Sequence, residues 1–154
     1  MLNPRELLKR GFLPYRKTTI TYAKQIQNRF SVRLDQGDVI YGKPGDYACV
    51  SPDDDGRWIV DREVFEGTYK PASSTSQQGM HKHLLRFGFR PYRKHQITWA
   101  RKVARQRVIH TLEGDVTAYV GDYLCLGPGG EQWPQSAERF EAHYEPVPVH
   151  ARSK

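Results

Sequence analysis

The chain has 154 residues, in which 24 Lys and Arg outnumber 17 Asp and Glu to give a formal net charge of +7. This excess of positive charge favours an anionic partner, such as nucleic acid, a nucleotide, an acidic protein or an anionic membrane surface. No stretch approaches the roughly 18 apolar residues of a membrane span, and the N-terminus lacks the apolar run of a signal peptide, so we expect a soluble, cytoplasmic protein.

The first predicted element is a short helix over residues 3–10. Asn3 is suited to cap this helix, Pro4 to its first position, and Glu6 to the third position of a capping box. Residues 18–26 follow, and their large apolar side chains lie at even-numbered positions, which would place them on one face of a half-buried strand. The chain therefore begins with a helix and continues into strands.

Short strands are predicted for most of the remaining first half, at residues 30–34, 39–41, 47–50 and 58–60. The last two are expected to pair across an acidic loop. Asp61 is suited to cap a helical turn that carries Phe65, and Tyr69 begins a last short strand.

Residues 71–82 have the small, polar composition of a linker, and the pattern then starts again. Residues 84–94 match residues 7–17 at an offset of 77. The offset falls to 76 at the Gly-Asp-Tyr turns and to 75 at Trp58 and Trp133, and both shifts fall in predicted turns, where changes of length are tolerated.

We therefore predict a tandem duplication of a mainly β unit with short helices. The first module spans residues 1–70, the linker 71–82, the second module 83–147 and a C-terminal tail 148–154. Each module is expected to be a small β-barrel of the SH3-like kind, and the two to be pseudo-symmetric.

Each module is expected to have its own aromatic core, because each carries matching large rings. The predicted cores are Tyr47, Trp58, Phe65 and Tyr69 in the first module, and Tyr123, Trp133, Phe140 and Tyr144 in the second. Cys49 and Cys125 occupy equivalent interior positions of separate cores, so we expect free buried thiols, which suit a reducing compartment.

The end of each module resembles a small module of many uncharacterised bacterial and phage proteins, with the pattern Pro-Gly-Asp-Tyr/Trp, Gly-Glu-x-Trp-Pro and Phe-x-x-x-Tyr-Glu-Pro. The second copy carries it at Gly121, Asp122, Tyr123, Gly130, Glu131, Trp133, Pro134, Phe140, Tyr144, Glu145 and Pro146, and the first at Pro44, Gly45, Asp46, Tyr47, Trp58, Phe65 and Tyr69. Val120, Ile59 and Lys70 depart from the pattern. The resemblance implies a small β-rich domain of phage or prophage origin and implies no reaction.

Catalytic chemistry has little support in this sequence. Asp46 and Asp122 follow glycine in turns, where a carboxylate accepts backbone hydrogen bonds. His81 and His83 lack further ligands at zinc-like spacing, so neither a metal nor a cofactor is expected. Neither cysteine has a histidine neighbour that recurs in both copies. We therefore expect a protein that is not an enzyme.

Two groups of residues are candidates for binding. The motif Pro-Tyr-Arg-Lys occurs at 14–17 and 91–94 and sets an aromatic ring beside two cations, which suits a base or a phosphate. Its ligand-binding candidates are Tyr15, Arg16, Lys17, Tyr92, Arg93 and Lys94. The alternative is that the tyrosines pack and the cations are merely solvated.

The second group is the basic stretch that follows Trp99. Basic side chains interleaved with aromatic ones are typical of proteins that follow a nucleic-acid backbone, although edge strands also carry Lys and Arg to prevent unwanted pairing. The candidate residues are Trp99, Arg101, Lys102, Arg105 and Arg107.

The leading hypothesis is a non-enzymatic protein that binds an anionic small molecule or a protein partner in a groove between two β modules, through the Pro-Tyr-Arg-Lys motifs. The alternative is a nucleic-acid-binding protein that uses the basic stretch, and a third hypothesis is a structural component of a virion or other assembly. The protein is expected to be a monomer or a homodimer without a membrane partner.

Overall fold

The computed structural model describes residues 3–73 and 79–148. Its helices are α1 (Pro4–Lys9), α2 (Arg62–Thr68), α3 (Gly79–Arg86) and α4 (Ala137–His143). The strands of the first half are β1 (Leu13–Lys17), β2 (Thr21–Gln25), β3 (Phe30–Arg33), β4 (Val39–Gly42), β5 (Tyr47–Val50), β6 (Arg57–Val60) and β7 (Tyr69–Pro71). Those of the second half are β8 (Arg90–Lys94), β9 (Thr98–Lys102), β10 (Arg107–Thr111), β11 (Gly114–Ala118), β12 (Tyr123–Leu126), β13 (Gln132–Gln135) and β14 (Tyr144–Pro146). The prediction of a mainly β protein with short helices is confirmed.

Helices α1 and α2 begin directly after Asn3 and Asp61, the two residues that the sequence predicts as caps. Asn3 Oδ1 accepts a hydrogen bond from the backbone N–H of Arg5 at 3.0 Å. Asp61 Oδ2 accepts from the N–H groups of Glu63 at 3.0 Å and Val64 at 3.3 Å. These bonds satisfy amide groups that the first helical turn leaves without a partner.

The chain forms two compact units. Unit 1 consists of Met1–Thr18, His95–Thr111 and Asp115–Lys154, and unit 2 of Thr19–Lys94 and Leu112–Gly114. These units differ from the predicted modules, because the predicted linker 71–82 lies within unit 2, where β7 ends and α3 begins. Linker residues 74–78 and tail residues 149–154 lie outside the described residues.

The strand order explains why the unit boundaries differ from the module boundaries. The sheet of unit 2 has the order β6-β5-β2-β8-β7, and that of unit 1 has the order β13-β12-β9-β1-β14. Strand β8 therefore belongs to unit 2, where Pro91 lies opposite Tyr22. Strand β1 belongs to unit 1, where Pro14 lies opposite Trp99. Each sheet thus contains one strand that the predicted boundaries assign to the other module.

The predicted SH3-like barrels are wrong. Neither five-stranded sheet closes on itself within the described residues, since each has two different edge strands. The physical reason is that helices cover both faces of the sheet. In unit 2, Phe65 of α2 packs with Cys49 on one face, and Leu84 of α3 packs with Tyr22 and Val50 on the other.

Unit 1 is layered in the same way. Leu7 of α1 packs with Trp99 and Leu124 on one face of the sheet, and Phe140 of α4 packs with Cys125 on the other. Both predicted aromatic cores are confirmed, and both cysteines are buried thiols that form no disulfide, as expected. Within residues 3–73 and 79–148, no helix has the length and apolar character needed to cross a membrane.

Candidate functional site

The tyrosines of the Pro-Tyr-Arg-Lys motifs are packing residues. The Tyr15 ring lies edge-on to Phe140, with 4.7 Å between ring centroids, and burial is the main reason why its pKa is raised. Tyr92 meets Phe65 edge-on at 4.8 Å. Both rings are half-buried and pack against the aromatic cores of their sheets.

The cations of these motifs point in different directions, because consecutive residues of a strand alternate between the faces of a sheet. Lys17 and Lys94 are buried, at 9% and 8% exposure. Arg16 is exposed, with Nη1 3.8 Å from Glu145 Oε1. Arg93 is also exposed. The structure therefore does not bring the three polar groups of either motif together on one surface.

The basic stretch is divided between core and surface. Trp99 is only 6% exposed and packs beneath α1 in the core of unit 1, so it does not reach solvent to stack on a base. Lys102, Arg105 and Arg107 are exposed, and Arg101 is half-buried. Of the residues predicted for nucleic acid, the four cations lie at the surface and the aromatic residue does not.

Arg101 is held in place by the end of helix α1. Its Nη1 donates a hydrogen bond to the carbonyl oxygen of Arg10 at 2.8 Å, and its Cζ lies 4.7 Å from the centre of the Phe12 ring. The Cζ of Arg10 lies 5.4 Å from the centre of the same ring. Phe12 is fully buried, so two guanidinium groups rest on a fixed aromatic platform.

The charge at this position is not neutralised. The pKa of Arg101 is lowered, first by burial and then by the positive charges of Arg107 and Arg10. Among the ion pairs of the described residues, none includes these three side chains. We call Arg10, Arg101 and Arg107 the arginine cluster. Because its members repel one another, a bound anion would lower its electrostatic energy.

The equivalent positions of unit 2 have the same framework and a different surface. Lys24 Nζ donates to the carbonyl oxygen of Phe87 at 3.0 Å, as Arg101 does to Arg10. At the offset of 77, Phe87 replaces Arg10 and Phe30 replaces Arg107. The bond from the strand to the end of the helix thus recurs in both units, whereas the cluster of arginines is present in unit 1 alone.

Arg10 and Phe12 are the residues of the site that the sequence analysis missed. Both lie about 90 positions before Arg101, at the end of a helix whose pattern shows only an amphipathic turn. One signal was available in the sequence, since at the predicted offset of 77 the arginines Arg10 and Arg107 align with Phe87 and Phe30.

The predicted structural role of the turn aspartates is confirmed. Asp46 accepts hydrogen bonds from the backbone N–H groups of Lys43 at 3.0 Å and Arg62 at 3.2 Å, and Asp122 accepts one from Tyr119 at 2.9 Å. The bonds from Lys43 and Tyr119 fix the turns before β5 and β12, and the bond from Arg62 joins the first of these turns to the start of α2.

The histidines considered as metal ligands lie on α3. His81 Nδ1 is 2.9 Å from the hydroxyl of Tyr22, and the ring of His83 is 4.7 Å from that of Phe87. In the described part of the chain, no group of three or more His, Cys, Asp or Glu side chains is placed to hold a metal ion.

Comparison of the chain with protein-family models, with curated proteins and with solved structures found no match.

Proposed function

We propose that this is a non-enzymatic binding protein that holds an anionic ligand at the arginine cluster of unit 1. The observation that carries the proposal is the uncompensated pair of guanidinium groups over Phe12. A guanidinium group presents a planar set of N–H donors that matches the oxygens of a phosphate or a carboxylate.

The position of Arg101 is fixed before a ligand arrives. One of its nitrogens is bound to the carbonyl of Arg10 and its plane rests near Phe12, so binding costs less conformational entropy than for a free arginine. The remaining N–H groups are available to an anion. Partial burial lowers the local dielectric constant, which strengthens the attraction.

Exposed cations extend beyond the arginine cluster along the chain. Arg105 lies in the connection from β9 to β10, which begins with Arg107, whereas Lys102 Nζ lies 5.5 Å from the centre of the Tyr123 ring on the other face of the sheet. A ligand with several negative charges would contact more of these groups than a single ion. We therefore assign the anionic ligand expected from the sequence to the arginine cluster, because the Pro-Tyr-Arg-Lys motifs contribute their tyrosines to the cores.

Isothermal titration with inorganic polyphosphate, which carries phosphates without bases, tests the proposal. We expect binding at low salt, and a slope of log affinity against log salt concentration that reports the number of phosphate contacts. Arg101→Ala should weaken binding at least about tenfold, as loss of one charge-assisted contact does. Arg107→Ala, at an exposed position, should weaken it without a change in thermal unfolding.

Lys24→Ala is the matched control, because Lys24 makes the equivalent bond in unit 2 without neighbouring arginines. We expect it to leave the affinity for polyphosphate within about twofold of the unmodified protein. Absence of binding at low salt would refute the proposal, as would equal losses from Lys24→Ala and Arg101→Ala.

A further inference from the structure

An exposed tyrosine lies next to the basic connection between β9 and β10. Tyr119 is 41% exposed, in the turn between β11 and β12. This turn is hydrogen-bonded to Val103, which donates to the carbonyl of Asp122 at 2.7 Å and accepts from the N–H of Gly121 at 3.0 Å. Since Val103 follows Lys102 directly in the chain, the tyrosine and the exposed cations lie at the same end of the sheet of unit 1.

The turn that carries Tyr119 is well fixed. The N–H of Tyr119 donates to Asp122 Oδ2 at 2.9 Å, and the N–H of Asp122 donates to the carbonyl of Tyr119 at 3.0 Å. Val103 itself is buried, at 6% exposure. The backbone beneath the exposed ring is therefore held from two sides, and the ring is presented to solvent at little entropic cost.

Unit 2 has the same turn without the aromatic side chain. Ile26 takes the place of Val103, with bonds of 2.9 Å to Asp46 and 2.7 Å from Gly45. Lys43 stands where unit 1 has Tyr119, and its Nζ lies 2.6 Å from Asp61 Oδ1. The tyrosine thus accompanies the arginines in the one unit that has them.

We infer that the ligand of the arginine cluster is the backbone of a single-stranded nucleic acid, with one of its bases stacked on Tyr119. This inference rests on the proposed function and names its ligand. Proteins that bind single strands combine cations that follow the phosphates with aromatic side chains on which bases stack. In a duplex the bases are already stacked and paired, so stacking on an exposed tyrosine would add little to the binding affinity.

The arrangement also distinguishes nucleic acid from an acidic protein. A carboxylate side chain would be satisfied by the cations alone and would have no use for an aromatic surface beside them. A nucleotide chain presents phosphates and flat bases together, which suits the exposed cations Arg105 and Arg107 together with the ring of Tyr119. Tyr119 takes the stacking role for which the buried Trp99 is unsuited.

Fluorescence anisotropy with a labelled oligothymidylate, an unstructured single strand, tests the inference on the full chain. Tyr119→Ala should weaken binding by between about fivefold and a hundredfold, the range for loss of one base stack. Tyr119→Phe should retain the affinity, since it keeps the ring. Tyr41→Ala is the matched control, because Tyr41 is 63% exposed and lies in unit 2.

Two further ligands test the parts of the inference separately: polyphosphate has phosphates without bases, and a DNA duplex of equal length has bases that are already paired. We expect Tyr119→Ala to leave polyphosphate binding unchanged and the duplex to bind more weakly than the single strand. If neither polyphosphate nor oligothymidylate binds, the proposed function fails together with this inference. If polyphosphate binds but Tyr119→Ala has no effect on oligothymidylate, or if the duplex or polyglutamate binds as tightly as the single strand, this inference alone is overturned.

Discussion

Arg101 Nη1 lies 2.8 Å from the carbonyl oxygen of Arg10, so that a bond from strand β9 closes the end of helix α1. Carbonyl groups at a helix C-terminus lack partners within the helix, and a cation there also interacts favourably with the helix dipole. The same bond recurs in unit 2, from Lys24 to Phe87. Its structural role therefore needs a cation in both units, and the choice of arginine needs a separate explanation.

Arg101→Lys should separate these two roles. Lysine makes the bond in unit 2, so we expect the free energy of unfolding to change by no more than about 0.5 kcal/mol. Lysine lacks the planar set of donors, so the affinity for polyphosphate should fall several-fold. Urea denaturation and isothermal titration measure the two quantities. Unchanged affinity with reduced stability would indicate that Arg101 serves the fold alone.

The turn aspartates should differ in their effect on stability. Asp46 is 2% exposed and accepts hydrogen bonds from two backbone N–H groups and from Lys43 Nζ, whereas Asp122 is half-buried and accepts one backbone bond. Asp46→Ala leaves several donors without a partner and should cost about 2–4 kcal/mol. Asp122→Ala should cost about 1 kcal/mol. Urea denaturation of both variants checks the order, and equal losses would contradict it.

The local parts of the fold follow from local patterns in the sequence. The pairing of β5 with β6, the Asp61 cap and the aromatic cores are confirmed, because each depends on residues close together in the chain. The burial of Trp99 also follows from the sequence. Trp99 aligns with Tyr22, which lies on the apolar side of the predicted strand, and both residues are buried.

The partners of β1 and β8 could not be predicted. Both strands contain Pro-Tyr-Arg-Lys, and either could pair with β2 or β9 in the same register, so the hydrophobic pattern does not select between the two arrangements. The arginine cluster depends on this choice, because Arg10 and Phe12 precede β1 and reach β9 only when β1 lies beside it.

Glu113 should make stability depend on pH. Its pKa is raised to about 7, chiefly by burial and then by the negative charges of Asp46 and Asp61, and Lys43 acts in the opposite direction. Because the folded pKa exceeds the ordinary value of 4.5, the folded protein binds this proton more tightly than the unfolded chain. The contribution to stability is therefore complete below about pH 4.5 and is lost as the pH rises through about 7.

Glu113→Gln removes this dependence. At pH 8 we expect the variant to be more stable than the unmodified protein by about 1–2 kcal/mol, after allowance for solvent screening of a partly exposed group, and at pH 4.5 to be nearly equal. Urea denaturation at both pH values measures the difference. Glu63→Gln, at an exposed position, is the control. A gain that is the same at both pH values would refute the prediction.

The phenol of Tyr47 should titrate in alkaline solution in a way that depends on Glu66. Burial raises the pKa of Tyr47 to about 12, and its hydrogen bond to Glu66 Oε2, at 3.0 Å, contributes next. Tyr123 has the equivalent bond to Glu141 at 2.9 Å and a pKa that is also raised to about 12. Glu66→Gln should lower the pKa of Tyr47 and leave that of Tyr123 unchanged. Ultraviolet absorbance of tyrosinate measures the titration, and Tyr47→Phe identifies the signal of Tyr47. A lower pKa for both tyrosines in Glu66→Gln would contradict the prediction.

The unit boundaries predict which fragment of the chain folds by itself. Residues 19–94 contain all five strands of the sheet of unit 2 and both helices that cover it, so that Leu84 can pack on Tyr22 and β7 can pair with β8. Residues 1–73 lack β8 and α3, which leaves β2 and β7 without their shared neighbour and exposes the apolar face beneath α3.

We therefore expect residues 19–94 to unfold cooperatively in urea and to give dispersed amide signals by NMR, whereas residues 1–73 should do neither. A fragment of this size has a small core, so loss of one central strand and one covering helix removes more stability than such a domain has in reserve. Leu84→Asp within residues 19–94 provides a matched control of equal length, since it places a charge against Tyr22 and Val50 and should abolish the cooperative transition. Cooperative unfolding of residues 1–73, with residues 19–94 unfolded, would show instead that the chain folds along the predicted module boundaries.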